Sequence, residues 1–288
     1  MPDLSNAAER AAIQKLAGAL GLAPVEPGWV WLAGAGPGDP GLITALGLVA
    51  IGSADVILFD ALANEALLQL ARPGAELIFA GKRSGVRSCK QTDISRTLVS
   101  LAKKGKRVLR LKGGDPLVFG RGAEEALVLA GAGVPFRIVP GVTAGIGGLA
   151  YAGIPLTHRD TGQAVTFLTG HGADGALPDF DWSAIAKGSP TIVLYMAKTH
   201  AREIAAKLIA AGRAPDEPAA VVANASLADQ SVWVTTLADL GDAAAASRRP
   251  AILVIGANVA YREGMDWLSA MAGKVLLPPQ NSVLKQAI

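Results

Sequence analysis

The sequence predicts an α/β protein of two domains, each a mostly parallel sheet flanked by helices, with the active site in the cleft between them. Three observations carry this. From about residue 28 to residue 270, short apolar runs of strand length alternate with helix-length runs, the signature of βαβ units. Several apolar runs end on a glycine turn or a charged residue, where open α/β sheets place their ligand loops. At 288 residues the chain can form one large domain or two ordinary ones, and its composition turns small and uncharged after Pro140-Gly141. Ligand pockets favour the seam between two such halves.

The elements follow in order. Residues 1–27 are an appendage whose stretch 5–20 has an amphipathic helical pattern. The N-terminal domain spans 28–141. It opens with the strand WVWLAG, turns through GAGPGDPG (34–41), and continues with helix 42–52, strand 54–60 and helix 64–72. Strand 76–81, helix 92–104, strand 107–111, helix 122–131 and strand 135–141 complete five strands alternating with helices. The C-terminal domain spans 142–272, with strands at 164–171, 190–196, 218–225, 231–237 and 250–256 and helices at 199–212, 237–246 and 258–270. The two strands at 231–237 and 250–255 are close enough in sequence for antiparallel pairing. Residues 273–288 form a loosely held tail.

Composition narrows the class. Half the chain is apolar, 51%, so a substantial core is expected. The net charge of +3 is mildly basic, which by itself does not point to nucleic acid. Twelve basic residues nevertheless crowd between residues 80 and 121, against Asp93 and Asp115 alone. Half of them belong to a solvated helix face, and the remainder suit an anionic partner. The single cysteine, Cys89, allows neither an internal disulfide nor a thiolate metal cage, which fits a cytoplasmic protein. No signal peptide is indicated at the N-terminus. Residues 138–157 are uncharged and long enough to span a bilayer. Their glycines and two prolines make a continuous helix poor, so the stretch reads as buried crossover and loop.

The motif that organises the chain is RVLRLKGGDPLVFGRG (107–122), a strand, a Gly113-Gly114-Asp115-Pro116 break and a helix. Paired glycines let backbone approach a ligand, and Asp115 adds a carboxylate bracketed by Lys112 and Arg121. A formal G-x-G-x-x-G at Gly36, Gly38 and Gly41 is discounted as a dinucleotide fingerprint, because Pro37 and Pro40 remove N–H donors that a pyrophosphate would need. Asp60 ends one strand and Lys82 follows the next. As base and acid they suit proton transfer, and they equally suit a structural ion pair. His158, His171 and His200 lack partners at ligand spacing, so no metal is expected. There is no G-x-S-x-G, Walker A or H-E-x-x-H motif.

Taken together the loops carry a resemblance. GAGPGDPG, FDAL (59–62), GKR (81–83), RLKGGDPLVFGRG (110–122), VPGVTAGIGGLAYAGIPLTHRD (139–160) and TGH (169–171) occur in the order found in the tetrapyrrole methylase family. The resemblance runs from about residue 28 to 270. The GGDPLVFGRG and GIPLTHRD segments are similar to the branch that acts on uroporphyrinogen III, and YMAKTH (195–200) to its free-standing cobalamin-pathway form. No room precedes Gly28 for the dehydrogenase module of the fused siroheme enzymes.

The resemblance implies a cytoplasmic homodimer that uses S-adenosyl-L-methionine, releases S-adenosyl-L-homocysteine and needs no metal. It implies C-methylation of uroporphyrinogen III at carbons 2 and 7, giving precorrin-2 by way of precorrin-1, for cobalamin or siroheme biosynthesis. Carried over residue by residue, the cofactor site would comprise Pro37, Gly113, Gly114, Asp115, Val118, Thr143, Ala144, Met196, Ala225 and Ala251. Asp60 would be the proton acceptor and Lys82 the donor, with Arg83, Lys112, Arg121 and Arg159 meeting the substrate's carboxylates. FDALAN departs from the family's commoner YDRLV, so an arginine usual beside the aspartate is missing. The alternatives are a methylase of a later corrin precursor and, in a different class, an RNA-binding protein using the basic 80–121 face.

Overall fold

The computed structural model describes residues 7–81, 91–172 and 174–276. The chain divides into two compact units, Met1–Thr143 and Ala144–Ile288.

In the first unit, helix α1 (Ala7–Ala19) precedes β1 (Val30–Gly34), α2 (Ala45–Ser53), β2 (Val56–Phe59), β3 (Glu76–Phe79), α3 (Gln91–Lys103), β4 (Val108–Lys112), α4 (Gly122–Gly131) and β5 (Phe136–Val139). Among the described residues these strands form one parallel sheet in the order β3-β2-β4-β1-β5. Its apolar content follows from strand alternation. Trp31, Ala33, Ile57, Phe59, Leu109 and Leu111 turn to one face and pack with Ala50 and Ile51 of α2. Val30, Leu32, Val56, Leu58 and Val108 turn to the other and meet Leu98 of α3 and Leu129 of α4. Full burial of each such leucine contributes about 1.5–3 kcal/mol. Helix α2 starts where Thr44 Oγ1 accepts the Gly47 N–H at 3.1 Å.

This arrangement creates a topological switch. The chain leaves β1 for α2 on one face and leaves β4 for α4 on the opposite face, while β1 and β4 are neighbours. The carboxyl ends of these two strands are therefore where open α/β sheets place their ligand loops. Where a helix was expected at 64–72, a 3-10 turn forms at Glu65–Leu70, capped by Asn64 and stopped before Pro73 and Gly74.

The second unit holds α5 (Ala144–Tyr151), β6 (Val165–Thr169), α6 (Trp182–Gly188), β7 (Thr191–Tyr195), α7 (Ala201–Ala210), β8 (Pro218–Ala223), β9 (Ser231–Thr236), α8 (Leu240–Ala246), β10 (Ala251–Ile255), α9 (Arg262–Met265) and α10 (Trp267–Met271). The sheet order is β6-β7-β10-β8-β9. Only β6 and β7 run parallel, and β10 lies antiparallel between β7 and β8. Five of the eight strand pairings among the described residues of the chain are parallel. The core joins Ile192, Leu194, Val221 and Leu253 of the sheet to Ile204 and Leu208 of α7 and Leu240 of α8.

Two differences from the sequence reading are instructive. The glycine-rich stretch read as crossover and loop contains a helix, α5. Its glycines carry a propensity cost, but a Cβ on Gly145 would meet the Tyr195 hydroxyl at 2.4 Å and one on Gly148 the Ala225 Cβ at 2.6 Å, so close packing requires them. The helix expected at 258–270 is broken into a 3-10 turn (Ala257–Tyr261), α9 and α10. The break falls at Asp266, buried and paired with Arg262 and Lys274. No helix of the described residues is long and apolar enough to cross a membrane.

Candidate active site

The carboxyl edge of the first sheet is held together by missing side chains. Gly36 and Gly114 form an isolated bridge between the loops after β1 and β4, with Gly114 N–H donating to Gly36 O at 2.7 Å. Gly114 takes a left-handed φ of 65° and Gly36 one of 80°, which a side chain would oppose. Beside the bridge, a Cβ on Gly34 would lie 2.4 Å from Gly114 O, and one on Gly141 would lie 2.2 Å from the same atom. Three loops thus converge at contact distances only glycine permits. Gly113 is likewise filled from within the unit, since its Cβ would sit 2.4 Å from that of Leu62. The glycine spacing read as backbone freed for a ligand is spent at Gly113 on packing these loops.

Asp115 serves the same convergence. Its Oδ1 accepts the Leu117 N–H at 2.7 Å and its Oδ2 the Gly141 N–H at 2.9 Å, tying the β4 loop to the chain after β5. Pro37, half-buried, and Val118 flank this rim on the two loops, and Thr143 is buried at the end of the unit.

Asp60 stands at the carboxyl end of β2, next to β4. Its Oδ1 accepts two backbone N–H groups at 3.1 Å each, from Leu62 and from Gly113. That fixes the carboxylate against both loops and leaves Oδ2 facing Arg110 Nη2 at 3.7 Å. The side chain remains 23% exposed, so the carboxylate is both anchored and accessible.

Arg110 and Lys112 alternate with Leu109 and Leu111 along β4 and turn toward α4, where Glu125 is fully buried. Glu125 Oε1 accepts from Arg110 Nε and Lys112 Nζ, both at 3.2 Å, and from Gln91 Nε2 at 2.9 Å. Burial, and then the Arg110 guanidinium, hold the Lys112 ammonium below its ordinary range, against the opposing pull of Glu125 and Asp60. Lys112, expected to meet substrate carboxylates, is 3% exposed and paired inside the unit. Arg121 is exposed and pairs with Glu124, which hydrogen-bonds it and draws the glutamate below its usual range. Lys82 and Arg83 lie outside the described residues.

The corresponding edge of the second sheet gathers Met196, Ala225 and Ala251. β10 runs antiparallel, so its first residue, Ala251, pairs with Ala223 at the end of β8, and Ile252 pairs with Tyr195 at the end of β7. Met196 is half exposed with φ 54°, and Asn224 and Ser226 also take left-handed φ, 49° and 61°. Such conformations cost about 1–3 kcal/mol each and concentrate at functional loops. Side chains hold this edge. Tyr195 Oη accepts the Gly145 N–H at 2.7 Å, next to Ala144 at the start of α5. Gln230 accepts from Ser226 N and donates to Tyr151 O. Arg159 is exposed, and the neighbouring His158 stacks on Tyr261 at 4.4 Å and hydrogen-bonds its hydroxyl. Among the described residues no group of three or more His, Cys, Asp or Glu could hold a metal ion.

The sequence reading missed Arg110, Glu125, Tyr195, Asn224 and Ser226. Only Glu125 left a clear signal, because Gly122, Glu125, Ala126 and Leu129 form the buried stripe of α4, a helical spacing visible in the sequence.

Comparison with known proteins identifies the family. The family model for Tetrapyrrole (Corrin/Porphyrin) Methylases matches residues 30–241. A uroporphyrinogen-III C-methyltransferase of Sinorhizobium sp. is 58% identical over 270 residues, 92% of this chain and 96% of that protein. Siroheme synthase 1 of Yersinia enterocolitica is 53% identical over 83% of the chain, which spans 51% of that longer protein. Among solved structures, the uroporphyrin-III C-methyl transferase of Thermus thermophilus complexed with S-adenyl homocysteine is similar with a TM-score of 0.70 and 39% identity, covering 80% of this chain and 98% of that one. The chain belongs to the tetrapyrrole methylase family.

Proposed function

We propose that the protein transfers methyl groups from S-adenosyl-L-methionine to carbons 2 and 7 of uroporphyrinogen III, giving precorrin-2 by way of precorrin-1 and S-adenosyl-L-homocysteine. On this reading it acts as a cytoplasmic homodimer and feeds cobalamin or siroheme biosynthesis. The observation that carries the reading is Asp60, anchored through Oδ1 by two backbone amides, with Oδ2 facing Arg110 and the side chain partly exposed. The kinship with the Sinorhizobium and Thermus enzymes supplies the substrate class.

The residues at hand fit an adenosyl sulfonium. In the first unit Pro37, Val118 and Thr143, and in the second Ala144, Met196, Ala225 and Ala251, offer apolar surface and backbone groups, and Gly114 presents backbone without a side chain. Gly113 and Asp115 hold its loop in shape. When bound, S-adenosyl-L-methionine supplies an electrophilic methyl group for in-line displacement. The protein's part is to align a pyrrole carbon with it, which accounts for much of the rate in such reactions. Asp60 Oδ2 then accepts the one proton that the macrocycle loses for each methyl group it gains, and Lys82 is the candidate donor where a second lost proton is returned at another atom of the macrocycle. Uroporphyrinogen carries carboxylates around its rim, and Arg83, Arg121 and Arg159 meet them. Lys112 acts from within the unit, through its pair with Glu125.

The test is an anaerobic incubation of the purified protein with uroporphyrinogen III and methyl-labelled S-adenosyl-L-methionine. Two labels per macrocycle are expected. Cofactor binding without transfer would move the substrate to a later corrin precursor, and no binding of cofactor would overturn the reading.

A further inference from the structure

We infer that Glu125 is a positioning residue for Asp60, acting through Arg110. The inference rests on the assignment of Asp60 as proton acceptor. Glu125 lies on α4, one layer behind the sheet, and is fully buried.

The connection is continuous. Glu125 Oε1 holds Arg110 Nε at 3.2 Å, while Arg110 Nη1 donates to the carbonyls of Leu58 at 3.4 Å and Leu111 at 3.1 Å. The guanidinium is therefore held on the β2 and β4 backbones. Its remaining edge, Nη2, faces Asp60 Oδ2 at 3.7 Å. This is the oxygen that the Leu62 and Gly113 amides leave uncommitted. The planar fork of arginine suits a link that must point two ways at once, whereas a lysine would supply a point charge only.

Cost argues for use. Burying Arg110, Lys112 and Glu125 together carries a desolvation penalty that ion pairing often fails to recover, so the cluster is poor evidence of stabilisation for its own sake. The bonding of Glu125 is also one-sided. Oε1 receives three donors, while buried Oε2 has no hydrogen-bond partner among the described residues. Apolar residues at all three positions would pack against Ala126 and Leu129 without that penalty. The carboxylate is retained because it neutralises and aims Arg110. The charged groups facing Arg110 and Asp60 among the described residues are Lys112 on the same strand and Glu125 on α4.

The experiment is a double-mutant cycle of Glu125→Gln with Asp60→Asn, using uroporphyrinogen III and labelled S-adenosyl-L-methionine. Glu125→Gln keeps size and an acceptor but removes the charge. It should lower kcat by about tenfold or more, leaving both KM values and the calorimetric affinity for S-adenosyl-L-homocysteine within about twofold. Combined with Asp60→Asn it should cost nothing further, since the group it positions is already gone. If Glu125→Gln multiplies the Asp60→Asn loss by its own full factor, or leaves kcat unchanged, the inference is overturned while the assignment of Asp60 stands. If Asp60→Asn turns over normally, the assignment itself fails and the inference with it. Should the bare Lys112 ammonium unfold the single variant, Lys112→Met/Glu125→Gln removes both charges and carries the same cycle.

Discussion

The two sheet edges do the same job by different means. At the edge of the first sheet, loops meet through absent side chains: Gly34, Gly114 and Gly141 touch backbone to backbone, and Asp115 ties the contact. At the edge of the second, loops are held by side chains, the Tyr195 hydroxyl and the Gln230 amide, and by non-glycine residues in left-handed conformations. Glycine at the first edge gives a tightly packed rim, with the partly exposed carboxylate of Asp60 beside it. Strained Met196, Asn224 and Ser226 at the second edge give shape without ionisable chemistry. On the proposed function, the comparison assigns proton transfer to the first edge and the holding of apolar ligand surface to the second.

The comparison can be broken most forcefully at Gly141. A valine there would place Cβ 2.2 Å from Gly114 O, and Gly141→Val should cost about 3 kcal/mol, read as a lowered denaturant midpoint with loss of cofactor binding. Tyr195→Phe breaks the second edge more gently. It leaves the buried Gly145 N–H without its acceptor and should cost about 1–2 kcal/mol in the same measurement.

Met196→Gly sharpens the contrast with opposite signs. Glycine relieves the left-handed φ of 54° and should stabilise the fold by about 1 kcal/mol, while the loss of the half-exposed thioether weakens S-adenosyl-L-homocysteine binding by calorimetry. A variant that is more stable and binds as tightly would show that the strain serves nothing.

The smallest effect is visible as a slope. Burial and Arg110 hold Lys112 below its ordinary 10.5 in the folded protein. Between that lowered value and 10.5 the unfolded chain carries a proton that the folded chain has released, so stability rises with pH across this alkaline window. Lys112→Met should flatten that rise in pH-dependent unfolding curves.

How much of this was legible in the sequence follows the same division. Strand order in the first unit, the strand-end place of Asp60 and the glycine turns that follow the strands could be read, because glycine, proline and strand-end charges are local signals. The use of Gly113 to seat Leu62 could not, since the residue that fills a glycine's space lies far along the chain. The second edge carried almost no local signal. Tyr195 reads as the end of an apolar strand, and only the antiparallel course of β10 brings Ala251 beside Ala223. Helix α5 was hidden because its glycines oppose helix locally and are explained only by Tyr195 and Ala225 across the packing. Arg110 and Lys112 fall in the basic run that suits an anionic partner, with Lys112 expected at the substrate. Their alternation with Leu109 and Leu111, set beside Glu125 in the α4 stripe, was the available clue to a buried cluster.

The most direct test of the division between the two edges is Asp60→Asn, followed by calorimetry with S-adenosyl-L-homocysteine and by methyl transfer to uroporphyrinogen III under anaerobic conditions. The account predicts unchanged affinity with turnover reduced by about 100- to 10,000-fold. Transfer at the rate of the unaltered protein would contradict it.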